Sequence, residues 1–312
     1  MTLRVILAFA AVYLIWGSTY LAAQFGLATI PPYLMGTMRY TIAGLILLTW
    51  SAYQKYSLPD FKTIKVNSIG GILMLVGGSG SVLWSQQYLS SGLAAILVAS
   101  LPVWFVILDK KQWAFYFSDK RIIMGVILGF IGIILLFGTG VQDSSNAVPD
   151  AAGKGRDGWM QLIGIAVILI GCILWAIGSL YVKYQNVTAH VTTSAGIQLL
   201  ASGVFSILPS FLWGEWNGFA WSQVSTGGWL ALWYLIIPGS VIAFMSYIYL
   251  LAVRSPAQAG TYAYVNPVIA VLLGVFFANE SVNWIQLLGL CTILLSVLLV
   301  NWPAYTKPAE QG

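Results

Sequence analysis

The chain has 312 residues, of which 59% are apolar and 7% charged, and its mean hydropathy is +0.85. Soluble domains carry roughly 25% charged residues, so this composition excludes a sizeable soluble domain and predicts an integral membrane protein. The net charge of +5 comes from cations that are scattered through short connections, a distribution that argues against a nucleic-acid partner. The lipid bilayer is therefore the expected environment.

Ten apolar stretches follow one another along the chain, separated by Gly, Pro or charged residues. Each approaches the roughly 20 residues that an α-helix needs to cross the hydrocarbon layer. We place them near residues 5–25, 33–53, 67–89, 92–109, 121–140, 159–182, 191–213, 228–251, 256–278 and 283–302. The sequence thus predicts an all-α membrane protein with ten transmembrane helices.

Lys and Arg are distributed unevenly between the connections on the two sides. If the N-terminus is cytoplasmic, the inward connections hold eleven of these cations and the outward connections hold two, Lys154 and Arg156. Positive charge accumulates in cytoplasmic loops. We therefore expect an inner-membrane protein with both termini in the cytoplasm and residues 303–312 as a cytoplasmic tail.

The second half of the chain repeats features of the first half. A shift of 165 positions sets residues 252–273 over residues 87–108 and aligns Pro102 with Pro267. In addition, the segment WGSTY that starts at Trp16 resembles WAIGSLY, which contains Trp175, with two extra residues. Both matches predict one five-helix unit that is used twice.

The predicted domain organisation follows from this repeat. We expect a first five-helix repeat at residues 1–140, an external linker at 141–158 and a second five-helix repeat at 159–302. An odd number of spans per unit inserts the two copies in opposite directions. This inverted repeat is the architecture of many secondary transporters, whose substrate site lies near the midplane between the repeats.

Four segments resemble the EamA-type branch of the drug/metabolite transporter superfamily. They are IWGSTY (15–20), IPPYLMGTMRY (30–40), SPAQAGTYAYVNPVIAVLLG (255–274) and FFANESVNWIQLLGLCTILLSV (276–297). The resemblance covers essentially the whole chain, although the first half has no counterpart of the Glu280 connection. It implies two EamA units around a central cavity, and the export of amino acids or of amphiphilic metabolites and drugs by alternating access.

Aromatic and polar side chains at mid-span depth predict the substrate site. Trp16 and Trp175 lie in spans that the repeat relates, and Tyr262 and Asn266 are four residues apart on one helix face. Helix packing is the alternative explanation for each residue taken singly. The predicted substrate-binding residues are Trp16, Tyr20, Gln87, Trp104, Trp175, Ser179, Tyr262 and Asn266.

Arg39 is the one cation predicted inside the hydrocarbon layer, where an unpaired charge costs at least about 2.5 kcal/mol. Glu280 is predicted on the same external side, so the two residues are expected to pair as a structural clamp or gate. The alternative role for Arg39 is anion binding. Glu280 is also the candidate group for proton coupling, and uncoupled facilitated diffusion or exchange is the alternative.

The sequence contains no spacing typical of a catalytic triad, a metal site or a phosphate-binding loop. We therefore expect no catalytic residues, no metal and no cofactor. An intramembrane enzyme for lipid-linked substrates is the rival from another class, and it would need reactive groups at membrane depth. Within the transporters, the alternative is an uptake carrier for a sugar or vitamin-like solute, and the sequence leaves monomer and homodimer open.

Overall fold

The computed structural model describes residues 2–89, 91–138, 158–185, 187–278 and 283–306, and within these ranges the chain is helical without β-strands. The first half contains α1 (Leu3–Leu27), α2 (Pro32–Tyr53), α3 (Phe61–Ser85), α4 (Ser91–Val98), α5 (Leu101–Leu108), α6 (Trp113–Ser118) and α7 (Lys120–Gly138). The second half contains α8 (Gly158–Tyr184), α9 (Val191–Leu212), α10 (Thr226–Val253), α11 (Pro256–Ala259), α12 (Tyr262–Ala278) and α13 (Trp284–Thr306).

These helices form ten membrane crossings in the described parts of the chain, which confirms the predicted fold class. The pair α4 and α5 makes one crossing, and so does the pair α11 and α12. Five helices are by themselves long and apolar enough to cross a bilayer, namely α1, α3, α8, α9 and α10. We call the face at which α1 begins the terminal face, and the opposite face, at which α7 ends and α8 begins, the linker face.

The first helix shows how the lipid environment is reflected in the residues of a span. Leu7, Leu14 and Leu21 follow one another at intervals of seven residues and are exposed, whereas Phe9 and Trp16 on another face are buried. Both faces are apolar, as expected for a helix with protein on one side and lipid on the other.

Two helix boundaries differ from the predicted spans. The third span begins at Phe61 and not near residue 67, because the Asp60 carboxylate caps the helix by accepting a 2.9 Å hydrogen bond from the Thr63 amide. The last helix continues to Thr306, within the residues predicted as a tail. The predicted linker lies almost entirely outside the described residues.

Two crossings contain a π-helical segment, at Ile72–Ser79 in α3 and at Leu235–Phe244 in α10. The 165-position shift found in the sequence places the first of these segments on the second. A π-helical turn is wider than an α-helical turn and is frequently found at functional sites. The repeat therefore places the same backbone irregularity at mid-span in both halves.

The two halves meet through equivalent helices. A Cβ atom added to Gly44 of α2 would lie 2.5 Å from the Leu200 backbone nitrogen of α9, and one added to Gly203 of α9 would lie 2.5 Å from the Thr41 nitrogen of α2. Both pairs, Gly44 with Gly203 and Thr41 with Leu200, are separated by 159 positions, the same separation as Trp16 and Trp175. The contacts are thus reciprocal about a pseudo-two-fold axis. They align the two repeats in this region with a constant shift of 159 positions, without the two extra residues inferred from WGSTY and WAIGSLY.

The close approach of α2 and α9 also has a polar connection at the linker face. Glu215, which follows α9, accepts hydrogen bonds from the backbone amides of Tyr33 at 3.1 Å and Leu34 at 2.7 Å. These amides belong to the first turn of α2, where the helix has no acceptors of its own and favours negative charge. Glu215 therefore caps α2 from the opposite repeat.

Replacement of Gly44 by Ala should destabilise the fold, because the new methyl group would overlap the α9 backbone. We expect a loss of about 1–3 kcal/mol, the usual cost of overpacking, seen as a lower unfolding temperature of the purified protein. Gly227→Ala is the matched control, since its Cβ would meet only the Ser225 hydroxyl at 3.9 Å. Equal unfolding temperatures for the two variants would contradict the proposed tight crossing.

Candidate functional site

Four aromatic rings from both halves meet at mid-span. Trp16 of α1 and Trp175 of α8 lie edge to face with ring centroids 5.6 Å apart, and Tyr262 of α12 lies 4.7 Å from Trp16. Tyr247 of α10 completes the group, at 5.4 Å from Trp16 and 5.5 Å from Trp175. We call Trp16, Trp175, Tyr247 and Tyr262 the aromatic cluster. Its spacings are those of favourable aromatic pairs.

Hydrogen bonds fix the orientation of these rings. The Trp16 indole N–H donates to the carbonyl oxygen of Gly239 at 2.9 Å, within the π-helical segment of α10. The Trp175 indole N–H donates to the Tyr247 hydroxyl at 3.0 Å, and that hydroxyl lies 2.7 Å from the Ser179 hydroxyl. Three of the four side chains, Trp16, Trp175 and Tyr247, are therefore held by hydrogen bonds, and the cluster forms a partition at mid-span.

A cavity of about 110 Å³ extends from the aromatic cluster toward the linker face. This is room for several water molecules, at about 10–15 Å³ each. Both halves contribute to its wall, which is mainly apolar and carries a few polar groups. The polar or aromatic side chains on the wall are Trp16, Thr19, Tyr20, Arg39, Ser79, Gln86, Cys172, Trp175, Ser240, Phe244, Tyr262 and Asn266.

Five of the residues selected from the sequence lie together on this wall. They are Trp16, Tyr20, Trp175, Tyr262 and Asn266, and they come from α1, α8 and α12. The combination of mid-span depth and repeat-related helix faces thus selects side chains that converge in space.

The other three predicted site residues lie elsewhere. Ser179 is fully buried on the terminal side of the aromatic cluster. Trp104 donates its indole N–H to Ser100 of its own helical region and packs against the core. Gln87 lines a separate depression at the linker face and donates to the Trp84 carbonyl oxygen.

Arg39 is buried on the wall of the cavity, with its guanidinium against the π-helical segment of α10. Its Nε–H donates to the Ser240 hydroxyl at 2.8 Å, and its guanidinium carbon lies 5.2 Å from the centre of the Tyr40 ring. Glu280 lies outside the described residues, so the Arg39–Glu280 clamp stays a prediction.

Sequence reasoning missed three residues that shape the site. Gln86, and not the predicted Gln87, lines the cavity. Successive residues of a helix point about 100° apart, and because both neighbours are glutamine, the sequence did not indicate which of them faces inward. Tyr247 and Ser240 lie in an apolar span whose orientation depends on the π-helical segment. The sequence feature that could have identified Tyr247 and Ser240 is a hydroxyl group at mid-span depth.

The interior on the terminal side of the cluster is filled and closed by hydrogen bonds. Asp109, at the end of α5, is buried and accepts from the Tyr116 hydroxyl at 2.8 Å and from the Tyr184 hydroxyl of α8 at 2.6 Å. Nearby, Tyr13 of α1 and Thr261 before α12 are joined through their hydroxyl groups at 2.7 Å. We call the contacts of Asp109 with Tyr116 and Tyr184 the terminal latch.

Among the described residues, no three His, Cys, Asp or Glu side chains lie close enough together to hold a metal ion. The polar groups that line the cavity are amides, hydroxyls, indole N–H groups, one thiol and one guanidinium. Such a wall can bind the polar end of an organic molecule by hydrogen bonds while the rings contact its apolar part.

Comparisons with known proteins agree with this architecture. A profile of the EamA-like transporter family matches residues 3–138 and 162–302, once in each half. The uncharacterized inner membrane transporter YedA of Escherichia coli K12 is 35% identical over 303 residues, which cover 96% of this chain and 91% of YedA.

More distant matches also cover nearly all of this chain. A chloroplastic WAT1-related protein of Arabidopsis thaliana is 26% identical and covers 93% of this chain and 68% of its own length. A protein of known crystal structure shares the fold with a TM-score of 0.72, at 18% identity over 97% of both chains. The chain therefore belongs to the EamA-like transporter family and is a membrane transporter.

Proposed function

We propose that the chain exports amino acids or amphiphilic metabolites by alternating access, and that the cavity on the linker-face side of the aromatic cluster is the substrate site. The observation that carries this proposal is the position of the cavity between the inverted halves, with Trp16 and Trp175 from equivalent helices in its floor. Inverted-repeat transporters hold their substrates at this position. The outward direction is proposed from the family resemblance.

The chemistry of the wall supports an amphiphilic ligand. Ligand sites are commonly apolar and aromatic, with a few polar groups that orient the ligand. Here the rings of the aromatic cluster offer a flat apolar surface, and Tyr20, Gln86 and Asn266 place hydroxyl and amide groups beside it. A sugar, by contrast, requires hydrogen-bonding groups all around the ligand.

The inverted repeat also explains why one side is open and the other is closed. Tyr20 and Ser179 are separated by 159 positions and are thus equivalent in the two halves, yet Tyr20 lines the cavity and Ser179 is buried on the terminal side. Exchange of the two conformations between the halves would bury Tyr20 and expose Ser179. In that exchange the terminal latch would have to break.

The membrane orientation follows from charge. In the sequence-based assignment, eleven cations fall on the side of the N-terminus and two on the side of the linker, which favours a cytoplasmic terminal face. In this orientation the cavity described above faces the outside, both termini are cytoplasmic and the linker is external.

A cysteine introduced by Asp150→Cys in the linker should react in intact cells with a thiol reagent that does not cross the membrane. A cysteine introduced by Lys62→Cys, at the terminal face, should react only after lysis, and the parent chain gives the background from Cys172 and Cys291. The reverse order of labelling would mean that the orientation is inverted.

Trp16→Ala and Trp175→Ala should each reduce efflux from preloaded proteoliposomes about tenfold or more, the loss expected when a ligand contact of at least about 1.4 kcal/mol is removed. The vesicles would be loaded with amino acids, sugars, polyamines and quaternary amines in turn. Trp50→Ala is the matched control, because Trp50 is exposed on the outer surface of α2. The amount of folded protein in each sample is measured by size-exclusion chromatography. Unchanged efflux in both cavity variants would exclude the cavity as the substrate site.

A further inference from the structure

The guanidinium of Arg39 has an unusual setting for a buried charge. The side chain is 8% exposed, and its one hydrogen-bond partner among the described residues is the neutral hydroxyl of Ser240. That hydroxyl in turn donates to the Leu235 carbonyl oxygen at 3.0 Å. Ser240 therefore orients the guanidinium against α10, and no described residue compensates its charge.

No carboxylate in the described residues balances this charge. The one Lys or Arg side chain within 4.0 Å of a carboxylate there is Arg121, whose partner is Asp119 on the terminal face. Glu215, at the linker-face end of α2, accepts from the Tyr33 and Leu34 amides and forms no ion pair with Arg39. Asp109 belongs to the terminal latch on the far side of the aromatic cluster. Buried charges in proteins are normally paired or hydrated, so the cavity is where the counter-charge of Arg39 is expected.

The second half shows that helix packing does not require a charge at this position. Gln198 of α9 is the equivalent of Arg39, 159 positions later, and packs against α3 as Arg39 packs against α10. Its amide nitrogen donates to the Asn67 side-chain oxygen at 2.7 Å. A neutral amide therefore occupies the same structural position, although its oxygen makes no hydrogen bond within the described residues. Packing at this position does not require a charge, and we infer that the charge of Arg39 has another role.

Further polar groups on the cavity wall lack partners. Both polar atoms of the Gln86 amide and the side-chain oxygen of Asn266 are buried, and they make no hydrogen bond within the described residues. Both side chains line the cavity together with Arg39. An amide donor beside a guanidinium can bind the second oxygen of a carboxylate, for which Arg has the matching geometry.

We propose that the substrate is an organic carboxylate with an aromatic or apolar body, and that Arg39 is the residue that binds its carboxylate. This inference rests on the proposed function of the cavity and narrows it. The body of the ligand lies against Trp16 and Trp175, and the Gln86 amide completes the anion site. Because the described wall offers no carboxylate, we expect an amphiphile whose only charge is an ammonium group to bind more weakly than the carboxylate.

A matched set of ligands tests the proposal by their effect on the unfolding temperature of the purified full-length protein and by titration calorimetry. The set comprises 3-phenylpropionate, its neutral amide, phenylalanine and phenethylamine, which share one ring and differ in charge. We expect 3-phenylpropionate and phenylalanine to bind, and the amide and phenethylamine to bind at least tenfold more weakly. Equal binding of the amide, stronger binding of phenethylamine, or failure of both carboxylates to bind would overturn the proposal.

Variants then assign the binding to Arg39. Arg39→Gln, which reproduces the residue of the second repeat, should weaken 3-phenylpropionate at least tenfold and leave the binding of the neutral amide unchanged. Arg39→Lys keeps a charge, should give an intermediate affinity and serves in its place if Arg39→Gln does not fold. Glu280→Gln separates this role from the predicted clamp, since carboxylate binding should survive it.

The outcomes also distinguish this inference from the proposed function. If Trp16→Ala weakens every ligand of the set but Arg39→Gln and Arg39→Lys bind carboxylates as the wild type does, the cavity is the site and the role of Arg39 is wrong. If neither Trp16→Ala nor the Arg39 variants affect a ligand that binds, the site lies elsewhere and both proposals fail.

Discussion

The edge-to-face contact between Trp16 and Trp175 is the interaction on which the rest of the interior depends. The two rings come from equivalent positions of inverted halves, and each indole N–H is fixed by α10, through the Gly239 carbonyl oxygen or the Tyr247 hydroxyl. Because both partners are held, the pair forms a partition at mid-span. It separates a cavity toward the linker face from a filled interior toward the terminal face.

The position of the partition between the two repeats relates the inverted repeat to the proposed transport mechanism. Under the proposed alternating access, two halves of nearly the same structure exchange two arrangements of similar energy. Here Tyr20 of one half lines the cavity, whereas its equivalent Ser179 is buried. The π-helical segments in α3 and α10 lie next to the partition in both halves, and the Gly239 carbonyl oxygen in α10 accepts the Trp16 indole N–H. The two halves differ in charge where Arg39 has Gln198 as its equivalent, and the proposed carboxylate site would therefore belong to one half.

Much of this arrangement could be predicted from the sequence, because span length, hydropathy and the repeat are local or pairwise patterns. Trp16, Trp175, Tyr262 and Asn266 were identified by depth and by the repeat. The role of Tyr247 could not be predicted from the sequence, because the π-helical segment changes which face of α10 points inward. The burial of Asp109 depends on two hydroxyls that are distant in the chain, and the choice between Gln86 and Gln87 depends on a helix phase that a fully polar run does not reveal.

The accessibility of two thiols tests the central claim, that one cavity between the halves opens to alternate sides. Cys172 lines the cavity and Ser179 lies across the partition. Two variants carry Cys291→Ser. The first retains Cys172, and the second combines Cys172→Ser with Ser179→Cys. Anionic sulfonatoethyl methanethiosulfonate applied at the linker face should modify Cys172 in the first variant and leave the introduced cysteine of the second unmodified. That cysteine should react with reagent applied at the terminal face once Tyr184→Phe weakens the terminal latch. Equal modification of both thiols from the linker face would contradict the account.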